Sequence, residues 1–168
     1  SLEIFDDGRP PNPSRGWAIR GSVFLPLVLG NFIGDASSPL VRRRCFDDVG
    51  MYSSEFWKLG AQGCEDWDLY LRIAERFEFR ALPEYLVGYR QTSGAMSSDW
   101  RKMNDSYRLL IDGVKRQHPQ IPAFVFRWSN ANFLLYLAHK ALRAGGYADA
   151  IALLSHATFS DPYLLVNR

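Results

Sequence analysis

Cysteine is scarce. Cys45 and Cys64 are the only two in 168 residues, which excludes the dense, even set that a disulfide-stapled secreted domain needs. Neither belongs to a Cys-x-x-Cys pair, and no Cys/His spacing suits a metal ion, so a reducing compartment is expected. Long apolar runs are missing as well. The longest, Val23 to Ile33, is interrupted by Pro26, Gly30 and Asn31 and is too short to cross a bilayer. The chain does not open on a basic segment followed by an apolar one, so no secretory signal is read there. Charge of one sign is also lacking: a net charge of +2 gives no electrostatic case for nucleic acid. Residues 99–168 do carry 9 positive against 5 negative side chains. A solvated helical face explains that excess as well as an anionic surface would.

Apolar and aromatic residues are plentiful, at 47% and 14%. That exceeds what disordered chains carry and suffices for one buried core. Leu2-Glu3-Ile4-Phe5 reads as a strand already inside a domain, so the chain is expected to be a fragment. Pro10, Pro11, Pro13, Gly8 and Gly16 make residues 6–16 a loop. Residues 17–33 are apolar with breakers, a short helix or buried loop, and Ser38 to Val41 suggests a brief strand. Arg43 to Val49 suggests one or two helical turns closed by Gly50 in a left-handed cap. Residues 51–63 read as irregular.

The clearest helix signal covers residues 64–77. Leu69, Ile73 and Phe77 recur at four-residue spacing, with acidic residues leading and Arg72 and Arg76 trailing. Residues 78–81 and 85–90 read as strands, and 92–98 as a Ser/Gly loop. Three helices follow over 99–117, 123–143 and 147–158, stopped by His118-Pro119, Gly145-Gly146 and Asp161-Pro162. The last two resemble a single tetratricopeptide-like hairpin, whose expected role is to pack on the segment before it.

Glu65-Asp66 opens the strongest helix. Backbone N–H groups and the helix dipole favour a carboxylate there by roughly 0.3–1 kcal/mol, and its position at the helix end suits a base met by an incoming substrate. Acidic residues in a first turn are equally ordinary helix-start chemistry. Asp66-Trp67-Asp68 spells D-x-D, but residues two apart on a helix point about 200° away from each other and cannot share an ion. Asp68 is better placed for an i,i+4 pair with Arg72. Cys64 reads as a small buried hydrophobe, and His118, His139 and His156 as structural. Arg42-Arg43-Arg44 reads as a solvent-facing strand end, or as a contact for phosphate.

An ordered set of motifs then resembles the C-terminal half of family 2 glycosyltransferases. The set runs Gly30-Asn31-Phe32-Ile33, Ser37-Ser38-Pro39-Leu40-Val41-Arg42-Arg43, Phe46-Asp47-Asp48-Val49-Gly50, Glu65-Asp66-Trp67-Asp68-Leu69-Tyr70-Leu71-Arg72 and Pro83-Glu84-Tyr85-Leu86-Val87-Gly88-Tyr89-Arg90. The resemblance implies an α/β fold: an incomplete GT-A half-domain over residues 1–98, followed by an α-helical extension over 99–168. It implies inverting transfer of a sugar from a nucleotide-sugar donor to an acceptor hydroxyl on a saccharide or lipid-linked molecule. Asp66 would be the general base, with Glu65 as its partner. Asn31, Ser37, Ser38, Trp67 and Arg90 would stand at or near the substrate, although Trp67 fits a core position better.

The resemblance also implies a divalent cation, Mg or Mn, whose ligands lie mostly outside this chain. Thr92 stands where the family often has a metal-binding His, and a hydroxyl is a poor ligand beside imidazole. The donor-binding half is missing from the sequence, so the chain alone is expected to be inactive. A cytoplasmic site of action is expected, with peripheral attachment at the inner membrane face left open. Two other functions compete. One is a non-catalytic interaction module with a helical docking tail. The other is a hydrolase using Glu65 and Asp66 as paired carboxylates, which adjacent residues arrange poorly, because such groups flank the scissile bond about 5–9.5 Å apart.

Overall fold

Helix-period patterning dominates the sequence, and helices dominate the fold. The computed structural model describes residues 2–5, 12–13, 19–91 and 99–161. Among these residues the helices are α1 (Phe24–Leu29), α2 (Arg43–Val49), α3 (Glu55–Lys58), α4 (Glu65–Ala74), α5 (Trp100–Gln117), α6 (Ala123–Arg143) and α7 (Tyr147–Ser160). Among the described residues the strands are β1 (Leu2–Phe5), β2 (Asn12–Pro13) and β3 (Gly88–Gln91), with β1 in the middle, antiparallel to β2 and parallel to β3. No helix among the described residues is long and apolar enough to cross a membrane.

This architecture corrects the expected fold class. A mostly helical chain with so little strand does not fit an α/β GT-A half-domain. The segments read as strands show why. Ser38 to Val41 lies in a turn and irregular backbone, and of residues 78–81 only Phe79 pairs, in one bridge with Gly21. Leu82, Tyr85 and Leu86 are 71%, 57% and 66% exposed. Apolar alternation becomes a strand only where a neighbour takes up its hydrogen bonds and a facing layer covers its side chains. Between residues 80 and 87 the chain has no strand partner, and Leu82, Tyr85 and Leu86 have no covering layer. Residues 6–11 and 92–98, including Thr92, lie outside the described residues.

The later helices follow their local signals closely. Asp99 caps α5, its Oδ1 accepting from the backbone N–H groups of Arg101 and Lys102 at 3.1 and 3.2 Å. Met103, Tyr107, Leu110, Ile111 and Val114 make its buried face. Between α6 and α7, Gly145 takes φ +78° and the Gly146 N–H returns to the Ala141 carbonyl at 2.8 Å. The two helices run antiparallel and meet through small residues: Ala131, Ala138, Ala141, Ala150 and Ala157 are all buried. Asn130 Nδ2 donates to Ser160 Oγ at 2.9 Å and fastens the open end of the hairpin.

One core runs from Val23, Leu27 and Val28 through Trp67, Tyr70 and Leu71 of α4 to α5, α6 and α7. The helical tail thus packs against the earlier segment through shared apolar groups. A smaller cluster of Cys45, Leu69 and Ile73 seats α2 on the other side of α4. The fold therefore places α4 between two apolar contacts, with Glu65 and Asp66 half-buried at its start.

Candidate functional site

The start of α4 is built without a side-chain N-cap. The Cys64 N–H instead donates to Ser106 Oγ of α5 at 2.9 Å. Glu65 Oε2 reaches back to the Gly63 N–H at 2.7 Å, and Asp66 Oδ1 accepts from the Trp67 N–H at 2.7 Å. Both acids therefore do helix-start work. Asp66 is also half-buried, and burial pushes its carboxyl up to about 6. The bond from Trp67 opposes that shift, while the negative charges of Glu65 and Asp35 add to it.

Trp67 faces inward. It is 3% exposed, its Nε1 donates to the Leu27 carbonyl at 2.8 Å, and its ring lies 5.7 and 5.9 Å from those of Tyr107 and Phe133. A carbonyl at the end of α1 needs such a donor. No face of this ring is open to a sugar. Asp68 pairs with Arg72 at 2.9 Å, as the i,i+4 spacing predicts. Arg72 then ties α4 to the end of α2 through the Val49 and Met51 carbonyls. Asp66 and Asp68 do not converge.

Of the other sequence candidates, Asn31 is a turn builder whose Oδ1 accepts from the Ile33 and Gly34 N–H groups, both at 3.2 Å. Ser37 and Ser38 gather on the carboxylate of Asp35, a residue sequence reasoning passed over. Asp35 is buried, and its carbonyl accepts from the Tyr70 hydroxyl at 3.1 Å. Tyr70 lies one helical turn beyond Asp66, and its hydroxyl is pushed well above the usual phenol range by burial and then by Asp66. Asp35, Glu65, Asp66 and Tyr70 thus form one electrostatically connected group, to which Ser37 and Ser38 are bonded. Arg90 is exposed on β3. The sequence signal for the turn was there: Asp followed two and three residues later by Ser is turn chemistry. Its anchor on Tyr70, 35 residues away, left no local trace.

Two hollows lie elsewhere. One, of about 380 Å³, is lined by Phe56, Leu71, Arg72, Glu75, Val114 and neighbours; the other, of about 180 Å³, by Ser22 and residues 74–78. Asp66 lines neither. In the larger hollow Arg72 is held by Asp68 and two carbonyls, and Glu75 accepts from or pairs with His118 Nε2 at 2.8 Å. These charges serve the fold. The implied divalent cation does not fit this part of the molecule: among the described residues no group of three or more His, Cys, Asp or Glu could hold a metal. Compared with family models, curated proteins and solved structures, the chain matches none.

Proposed function

We propose that the chain carries the acceptor-side, base-bearing portion of an inverting glycosyltransferase, with Asp66 as the general base. One observation carries this reading: a half-buried carboxylate at the start of α4 whose proton affinity is raised to about 6. A base works best when its pKa lies near the operating pH, and an ordinary surface Asp is too acidic for that. The ordered motifs from Gly30 to Arg90 supply the reaction class. In the step, Asp66 takes the proton of the acceptor hydroxyl while that oxygen forms its bond to the anomeric carbon. The bond from that carbon to the diphosphate breaks on the opposite face, and the diphosphate leaves with the electron pair. Glu65, held on the Gly63 N–H, shapes the approach to the base. The donor site belongs to another part of the intact protein, and the isolated 168-residue chain is expected to turn over no nucleotide-sugar. A cytoplasmic site of action, against the inner membrane face where the acceptor is lipid-borne, goes with this reading.

The test is Asp66→Asn in the intact protein. A fall in kcat of about 10²–10⁴-fold with donor KM nearly kept is expected; unchanged turnover removes Asp66 from the mechanism. A second role, a non-catalytic module with a docking tail, is favoured by the exposed Tyr147, Ile151 and Leu154 at helical spacing on α7. In that case Ile151→Asp abolishes the cellular function of the intact protein and Asp66→Asn leaves it intact.

A further inference from the structure

We propose that Asp35 is a positioning residue for this site: it closes the 35–38 turn and fastens it to α4 through Tyr70, making that turn a fixed wall beside Asp66. The inference rests on Asp66 as the base.

A buried carboxylate is costly unless its oxygens are satisfied. Oδ1 of Asp35 accepts from the Ser37 and Ser38 N–H groups at 2.9 and 2.8 Å, and the Ser38 hydroxyl lies 3.0 and 2.9 Å from Oδ1 and Oδ2. Those bonds alone would make a local turn. Tyr70 makes it a tertiary one. Its side chain is 1% exposed, so its hydroxyl needs an internal acceptor, and the Asp35 carbonyl supplies it. Tyr70 follows Asp66 by four residues, which puts both on one side of α4. The turn is thus fixed against the side of the helix that carries the base. Its outer residues, Gly34, Ala36 and Ser37, are small and exposed. The groups felt by Asp66 are Glu65 on its own helix, Asp35 on the facing turn, and the neutral Cys64 and Tyr70. Asp35 therefore contributes charge as well as geometry.

The experiment compares Asp35→Ala, Asp35→Asn and Tyr70→Phe in the intact protein, reading sugar transfer across pH. Losing the wall lets the acceptor shift, and a displacement of about 1 Å costs up to about 10²-fold. Asp35→Ala and Tyr70→Phe are each expected to lower kcat about 10–100-fold with donor KM within about twofold. Their combination should cost no more than the larger single effect. Asp35→Asn keeps an oxygen for the turn amides, so it should restore most of the rate at high pH. By removing one negative charge facing Asp66 it should move the acid limb of the profile to lower pH. A folded Asp35→Ala protein with unchanged kcat, or an acid limb unmoved in Asp35→Asn, overturns the proposal; if Asp35→Ala does not fold, the Asn profile decides. Should Asp66→Asn leave transfer unchanged, the base assignment fails, and NMR titration of the Asp66 carboxyl then decides the wall. A lower midpoint in Asp35→Asn keeps the contact, and an unmoved midpoint removes it.

Discussion

At the scale of single residues, Asp66 shows how one environment serves two ends. The carboxyl has an ordinary value of 3.8 and is raised to about 6 in the fold. The folded state therefore binds this proton more tightly than the unfolded state does. Its contribution to stability is full below 3.8 and is lost as pH rises through 6. Above that window the folded chain carries a poorly solvated charge. Asp66→Asn is expected to stabilise the chain by on the order of 1–3 kcal/mol at pH 7.5 and to change little below pH 4. Urea denaturation at the two pH values checks this, and an equal effect at both would show that burial does not act on the carboxyl. Under the proposed role, the variant expected to slow transfer is also expected to be the sturdier protein. Trp67, its neighbour in sequence, is the opposite case. It takes the core position it was expected to fit, its Nε1 on the Leu27 carbonyl and its ring against Tyr107.

Among the elements, the long helices and the strand over Leu2–Phe5 were legible, whereas the strands expected at 38–41 and 78–81 do not form. The pattern over 123–143 coincides with α6, and His118-Pro119 stops α5 where the proline demands it. Such signals are local: a period, a cap, a breaker. Residues 78–90 carry apolar alternation, yet strand formation depends on partners elsewhere in the chain, which no window of sequence displays. Gly50 was expected as a left-handed cap and does take φ +81°, but its ψ of 178° lies outside the left-handed helical region. Where α4 begins, Gly63 is required twice over. Its φ is +133°, and a Cβ there would come within 3.1 Å of Met103 Cγ on α5. Gly63→Ala is therefore expected to destabilise by about 1–3 kcal/mol in chemical denaturation. A loss below about 0.5 kcal/mol would show that α5 yields at this contact.

For the molecule as a whole, the decisive fact is the single core shared by α1, α4, α5, α6 and α7. Residues 19–91 alone would leave Trp67, Tyr70 and Leu71 without Tyr107, Phe133 and their neighbours. That segment, produced without 99–161, is expected to lack a cooperative transition and dispersed amide NMR signals, whereas the full chain unfolds in one step. A well-dispersed spectrum from the shorter piece would show that it holds together by itself. The same sharing explains why a motif order read along residues 1–98 gave the wrong fold class. Those motifs name residues in sequence, but the structure of this stretch is set by helices that come after it.

The two thiols fall on opposite sides of α4. Cys64 is enclosed between the start of that helix and Ser106 of α5, and Cys45 between α2 and Leu69 and Ile73. Burial also pushes the Cys64 thiol up to about 12, far from its reactive anion. An alkylating reagent can reach each sulfur only when its own contact parts. The chain thus carries two native clocks, one timing the separation of α4 from α5 and the other the lifting of α2, and both can be read by mass spectrometry from the mass each thiol gains on alkylation.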